Sequence, residues 1–558
     1  MCPAAGRFRP ASSVSLLCLV RFLASFLVVC STVASLAPAA SAEVTMRSEE
    51  ITAALDLSPE GTVHLWDMSP DGAYAVLIAD PPGDGRRDLY SVPLAGGDPV
   101  LLRPAEGPAA GVVSFRIAAG SQIVVFATGV LESGSWRQNA LYAVPMAGGT
   151  PVRVSSSAMS ASHTIYSYEV APGPMEDAAR RVAYIADHET PDTRELFSAP
   201  IAGGDSVKLA GAAGSCPACR ISHRFSPNGL AVVYTRETDV TTPSLHATLA
   251  DGSITPVLFS PGATHAWAVT PNSAGVVYCR ETAPGAYGLF AAAFTAPGSP
   301  IAISDTSAAP IPFAITPNSQ GVVYLMTGPD NAWTALYSAW TATGLGDDAP
   351  ISGEPLPGTH ATGALITPNS LGVVFLAQRT ADGAWALYGA PITGGVPVRL
   401  GDPGVDGGHY HAYQVTPNSA GVVYTSHGES GPLRLYAAAV AGGAPVVLSA
   451  HPDPEGYAPN WVVSPNSQTV VYTWVPGTDG MATMYVVPTT GGPALRVAAL
   501  WPSSVDTFPV GQAGAIITPD SEGVLYAADP GGAGYYRLFL ARGIEHRTYL
   551  PSLLRDTP

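Results

Sequence analysis

Ile315-Thr316-Pro317-Asn318-Ser319-Gln320-Gly321-Val322-Val323-Tyr324 is the stretch on which the fold turns. It reads as the end of an apolar strand, a turn, and the start of a second strand. Proline fixes φ for the turn, asparagine caps it, and glycine supplies the position with φ above zero. The Val-Val-Tyr that follows is β-branched and aromatic, the chemistry of a half-buried strand. The pattern returns over residues 269–278, 366–375 and 415–424. Looser copies start near Met68, Phe225, Val463 and Ile517, and degenerate ones near Ile117 and Val170. Turns thus fall near 69, 118, 171, 226, 270, 316, 367, 416, 464 and 518. Ten copies at a period of about 50 residues match the spacing of a four-stranded blade.

Outward from the turn, each copy finishes in the same way. In the seventh, Ala386-Leu387-Tyr388-Gly389-Ala390 is a third strand and Pro397-Val398-Arg399-Leu400 a short fourth. Gly394-Gly395 joins them, because a tight hairpin needs residues tolerant of positive φ. Four short strands cannot bury both faces alone, whereas radial stacking buries each blade against its neighbours. The expectation is an all-β propeller of about ten four-stranded blades over residues 43–558, closed as one large ring or two smaller ones.

Ser69-Pro70-Asp71-Gly72, and Ser226-Pro227-Asn228-Gly229 with one change, resemble the turn of the TolB-like, WD40-like β-propeller repeat. The resemblance covers the chain from about residue 55 onward and implies fold more than activity. The α/β domain that precedes the propeller in TolB has no counterpart between the leader and the first repeat.

Composition agrees with turn-rich β structure: 59 Gly, 53 Pro and only 12% charged residues in 558. A net charge of −17 and a single lysine, Lys208, argue against nucleic acid, which requires clustered Lys and Arg. That acidity favours a soluble monomer.

Residues 1–42 read as a signal peptide. Arg7 and Arg9 precede an apolar stretch over 22–34, and Ala40-Ser41-Ala42 is a small-residue cleavage site. A secreted or periplasmic location follows, with no membrane span once the signal is removed. The alternative is an uncleaved N-terminal anchor, since residues 22–40 are nearly long enough to span. Cys216 and Cys219, in Cys216-Pro217-Ala218-Cys219, fit a local disulfide of an exported loop. A redox pair or half a zinc site is the other reading. Cys279, in a strand pattern, reads as a small buried apolar residue.

No Gly-x-Ser-x-Gly elbow, His-Glu-x-x-His helix or phosphate-cradling loop occurs. The expected function is therefore a non-enzymatic binding or scaffold propeller, with a protein or carbohydrate ligand on the loop face near the channel. The histidines carry the rival reading. His64, His265 and His411 lie five residues before their turns, His223 three before, and His360 and His409 seven before. Odd offsets share one face of a continuous strand, so these six side chains would ring one rim and hold a divalent metal. That arrangement would suit a metal-assisted, lyase-like carbohydrate-active enzyme; an envelope assembly factor like TolB is a third reading. Against both stands a histidine copied by duplication for hydrogen bonding within the blade.

The acidic turns at 80–88, 330–331 and 382–383 fit plain hairpins better than calcium loops. Trp333 and Trp385 follow two of them, placed either to cap a blade or to contact a ligand. The apolar-basic tail from His546 to Arg555 reads as the last outer strand, with a sorting signal as the other reading.

Overall fold

The computed structural model describes residues 46, 48–160, 162–174, 176, 179–211, 220–237, 243–260, 262–340, 349–353, 357–378, 385–401, 409–427, 431–451, 453, 455–477, 482–499 and 514–544, the side chains of 340, 409 and 499 excepted. Among them, every sheet has four antiparallel strands, and there are ten such sheets. Blade 1 comprises Thr62–Met68, Tyr74–Asp80, Asp88–Pro93 and Val100–Arg103. Blade 2 comprises Ala110–Ile117, Ile123–Glu132, Ser135–Pro145 and Val152–Arg153. Blades 3 to 9 repeat this order.

Blade 10 differs in where its fourth strand comes from. Ala515–Ile517, Gly523–Ala528 and Arg537–Arg542 supply three strands, and Ser48–Glu50 pairs antiparallel with the last of them. The outer strand of the last blade is therefore amino-terminal, which corrects the expectation placed on the tail. Residues 546–555 themselves, like residues 1–42 and Cys216 and Cys219, lie outside the described residues.

The blades close as one ring, and the packing shows why. Each apolar core is shared between consecutive blades: Val76 and Ile78 of blade 1 meet Val124 and Phe126 of blade 2. The series continues around to Leu525 and Leu538 of blade 10, which pack with Val63 and Leu77 of blade 1. The stretch near 210, a seam in sequence, is bridged by a core joining Leu196 and Leu209 to Phe225 and Val232. Two smaller rings would need a second closing interface, and the cores leave no place for one.

In eight of the ten blades, an aromatic on the second strand stacks on its register partner on the third, while blade 1 has Leu77 opposite Tyr90. Phe126–Tyr142, Tyr278–Phe290, Tyr424–Tyr436 and Tyr526–Phe539 have centroids 5.3–5.8 Å apart. Such pairs add about 0.5–1.5 kcal/mol each beyond area burial. The Tyr of Val-Val-Tyr is thus the blade's central brace. In blade 4 the third-strand partner of Tyr234 is His246, at 5.3 Å. Cys279 is fully buried in the second strand of blade 5, as its sequence context indicates.

The turn holds a surprise. In the Thr/Ser-Pro-Asn-Ser copies the positive-φ residue is the serine: Ser273, Ser319, Ser370, Ser419 and Ser467 have φ of 58–65°. The later glycine, for instance Gly321, instead begins the second strand. This corrects the sequence reading, and the reason lies between blades. The backbone N–H of each turn asparagine donates to the serine hydroxyl of the next blade: Asn272 to Ser319 at 2.9 Å, Asn318 to Ser370 at 3.1 Å, Asn369 to Ser419 at 2.9 Å. Asn418–Ser467 and Asn466–Ser521 continue the belt, and Asp71–Ser121 and Asn228–Ser273 belong to it. Glycine would relax the backbone there but could accept nothing.

A second inter-blade contact lies farther out. A Cβ on Gly442 would fall inside contact distance of Val398 of the preceding blade's fourth strand, and φ there is +95°. Val100–Gly148 repeats this relationship, at 2.9 Å from the same hypothetical atom. The first glycine of the Gly-Gly hairpin is thus required by its turn and by its neighbour.

Candidate functional site: a cleft over blade 2

The meander sends the Ser/Thr-Pro turns and Gly-Gly hairpins to one face of the propeller. Hairpins between second and third strands, and the linkers between blades, emerge on the other. On that loop face blade 2 departs from the repeat. Its second and third strands run 10 and 11 residues, against six or seven in most blades. The register slips between Thr128 and Gly129, which leaves Asn139 without a cross-strand partner. A side chain on Gly129 would collide with the Arg137 carbonyl and reach 2.7 Å from Val113, so only glycine permits this crossing. The hairpin is braced by a Glu132–Arg137 ion pair and by Arg87 of blade 1, 4.9 Å above the Trp136 ring. Bulges and single-repeat insertions are where repeat folds place function.

Beside this hairpin opens a cleft of about 640 Å³, counting its solvent-open mouth. Its walls include Arg103, Thr128, Asn139, Tyr142 and Arg153. The Arg103 guanidinium lies 5.6 Å from the Tyr142 ring and pairs with Glu106 at 2.8 Å. Arg153 donates from Nη2 to the Met159 carbonyl at 2.7 Å, while its Nε is buried with no hydrogen-bond partner. The Thr128 hydroxyl is 3.4 Å from the Asn139 carbonyl oxygen. Concavity, two cations and several hydroxyl and amide groups suit a small polar ligand.

The six sequence-derived histidines are placed differently from one another. His64, His265 and His411 each fall where the first strand slips register against the second, between Val63 and Leu65, Thr264 and Ala266, and Tyr410 and Ala412. The slip interrupts the alternation that put all odd offsets on one face. His223 lies in a strand with unbroken register, opposite Tyr234. In other blades its position carries Trp66, Phe115, Tyr168, Trp267 or Trp461. It is thus an inter-blade packing residue; burial pushes it down to about 4, and its Nε2 has no hydrogen-bond partner. His64 Nε2 is likewise buried without a partner, and burial with the charge of Arg87 lowers that imidazole's pKa. His265 stands edge-on to Tyr287 at 5.0 Å, and His360 opens its strand opposite Gln378. Blade 8 brings histidines together: the rings of His411 and His427 are 5.0 Å apart, and His409 is the cross-strand partner of His427. Among the described residues no group of three metal-ligating side chains is assembled.

Other sequence candidates resolve structurally. Asp80 accepts the backbone N–H groups of Gly83 at 3.0 Å and Gly85 at 2.6 Å, which makes its loop a capped hairpin. Trp333 packs on the core between blades 5 and 6, the capping role. Residues 379–384 lie outside the described residues.

The sequence did not single out Arg103, Tyr142, Arg153 or His451. The last stacks on Trp474 at 4.3 Å, stands edge-on to Tyr485 at 4.6 Å and bonds the Tyr472 hydroxyl at 2.8 Å. Burial first, then Arg434, pushes this imidazole down to about 4. The unusually long apolar run from Ile123 to Leu131 was the available signal for blade 2.

Fold and packing define the class: a single-ring β-propeller of ten four-stranded blades. No protein-family model matches the chain, and no curated protein matches it in sequence. Solved structures are similar in fold. TolB from Acinetobacter baumannii shares 15% identity over 55% of this chain and 79% of that one, with a TM-score of 0.26. An oligogalacturonate lyase in complex with manganese shares 14% over 67% of this chain and 97% of that one, at 0.32. The tricorn protease shares 13% over 78% of this chain at 0.33, and the match spans only 43% of that protease. For a prolyl endopeptidase the match spans 55% of the enzyme. No helix among the described residues is long and apolar enough to cross a membrane.

Proposed function

We propose that this chain is an exported binding propeller that holds a small polar ligand in the blade 2 cleft. One observation carries the reading: blade 2 breaks the repeat through a bulge and an overlong hairpin, and a polar cleft opens beside that hairpin on the loop face. The leader, with Arg7, Arg9 and Ala40-Ser41-Ala42, supports action outside the cytoplasm. The test is a thermal-shift and calorimetric screen of the mature chain against small saccharides, amino acids and organic acids. A ligand whose binding is lost in Tyr142→Ala supports the cleft. Binding untouched by Tyr142→Ala and Arg103→Ala would place the ligand elsewhere and end this reading. N-terminal sequencing of secreted protein should begin at Glu43.

A second reading rests on blade 8. His411 and His427 lie in ring contact, with His409 across the ladder. A divalent metal held there would support metal-assisted carbohydrate chemistry. Elemental analysis showing about one equivalent of transition metal, lost in His411→Ala with His427→Ala, would favour it. Metal-free protein at saturating Mn²⁺ or Zn²⁺ would dismiss it.

A further inference from the structure

We infer that the blade 2 cleft is an oxyanion site, in which Arg153 takes a carboxylate or phosphate group from the ligand; this rests on the cleft being the ligand site. The argument comes from comparing blade 2 with blade 3. At the same place on the fourth strand the two blades carry a cation, Arg153 opposite Tyr142 and Lys208 opposite Phe197. In blade 3 the cation is neutralised from within. Glu195, at the start of the third strand, is 2.6 Å from Lys208 Nζ and almost wholly buried, and Glu189 adds a contact at 2.7 Å. In blade 2 the residue in the place of Glu195, just before the leucine of the third strand, is Ala140. The cation stays and its acid is gone.

What fills that place is cleft. Ala140 and Arg153 both line it, and Arg153, which donates from Nη2 to the Met159 carbonyl, pairs with no carboxylate among the described residues. Glu106, the one carboxylate on the lining, is 73% exposed and already pairs with Arg103. Two guanidinium groups therefore face one spent carboxylate. A planar guanidinium fork matches the oxygens of a carboxylate or phosphate, a geometry that a neutral hydroxyl cannot satisfy. Asn139, Thr128 and Tyr142 are placed to hydrogen-bond the remainder of such a ligand.

The test is calorimetric titration of the mature chain at constant ionic strength with citrate, inorganic phosphate and neutral trehalose. Saturable binding of citrate or phosphate is expected, and which of the two binds separates a carboxylate from a phosphate preference. Arg153→Gln should weaken it at least tenfold. Ala140→Glu, which restores the acid of blade 3, should weaken it equally while raising or preserving the melting temperature. Anion binding that survives both substitutions, or no binding of either anion, overturns the inference. Trehalose binding that is lost in Tyr142→Ala but unchanged in Arg153→Gln would overturn it too, while leaving the cleft as the ligand site.

Discussion

The backbone N–H of Asn318 reaches across a blade boundary to the hydroxyl of Ser370, 3.1 Å away, and Ser370 adopts φ of +62° to receive it. The residue is strained locally and bonded remotely. A left-handed conformation costs an L-residue roughly 1–2 kcal/mol, and a neutral hydrogen bond returns about 1 kcal/mol.

Ser370→Ala should therefore lower stability by about 1 kcal/mol, because the strain remains and the bond is lost. Ser370→Gly should be nearly neutral, since relief of strain offsets the lost acceptor. Urea midpoints of the two variants give the comparison. An alanine variant as stable as the glycine one would remove the belt's energetic role.

Gly442 offers a double-mutant test of the outer contact. Gly442→Ala meets both positive φ and the Val398 side chain, and a cost of about 2 kcal/mol or more is expected. Adding Val398→Ala should recover only the steric part. Full recovery would mean that backbone conformation contributes nothing at this hairpin.

Two partly buried histidines set an acid limit. His223 and His451 are both held near 4 in the folded chain, below their ordinary 6.5. The unfolded chain takes up protons first as pH falls, so their contribution is complete above 6.5 and is lost progressively between 6.5 and 4. His223→Phe, which installs the ring type other blades use there, should flatten the pH dependence of the unfolding midpoint between pH 7 and 4.5. An unchanged slope would refute this role for His223.

Gly129→Ala addresses the cleft through its backbone. The new methyl collides with the Arg137 carbonyl and Val113, so the blade 2 hairpin must shift. Stability should fall by about 1–3 kcal/mol, and cleft binding should weaken although no cleft-facing functional group is removed. Undiminished binding would show that the bulge does not shape the site.

The repeat made the fold legible. Val322-Val323-Tyr324 and its copies announce the aromatic brace, and Gly394-Gly395 the hairpin, because both are local in sequence. The positive-φ serine was not legible, since its reward comes from a neighbouring blade about 50 residues away. Nor was the spread of the histidines, because a bulge at His64, His265 and His411 has no residue-type signature. The cleft draws Arg103, Thr128, Tyr142 and Arg153 from four strands of two blades, so only the folded ring assembles it.

Ser48 pairs with Ala541, and that single fact fixes the order in which the molecule can come into being. Nine blades can form as their residues emerge, but the tenth must wait, its outer strand made first and its inner strands last. Joining such distant segments in an unfolded chain would cost about 5 kcal/mol on loop-closure scaling, a cost met in advance once nine blades have stacked. Completion is thus a late, all-or-nothing event, and a chain interrupted before residue 542 would have a seam facing solvent on both sides.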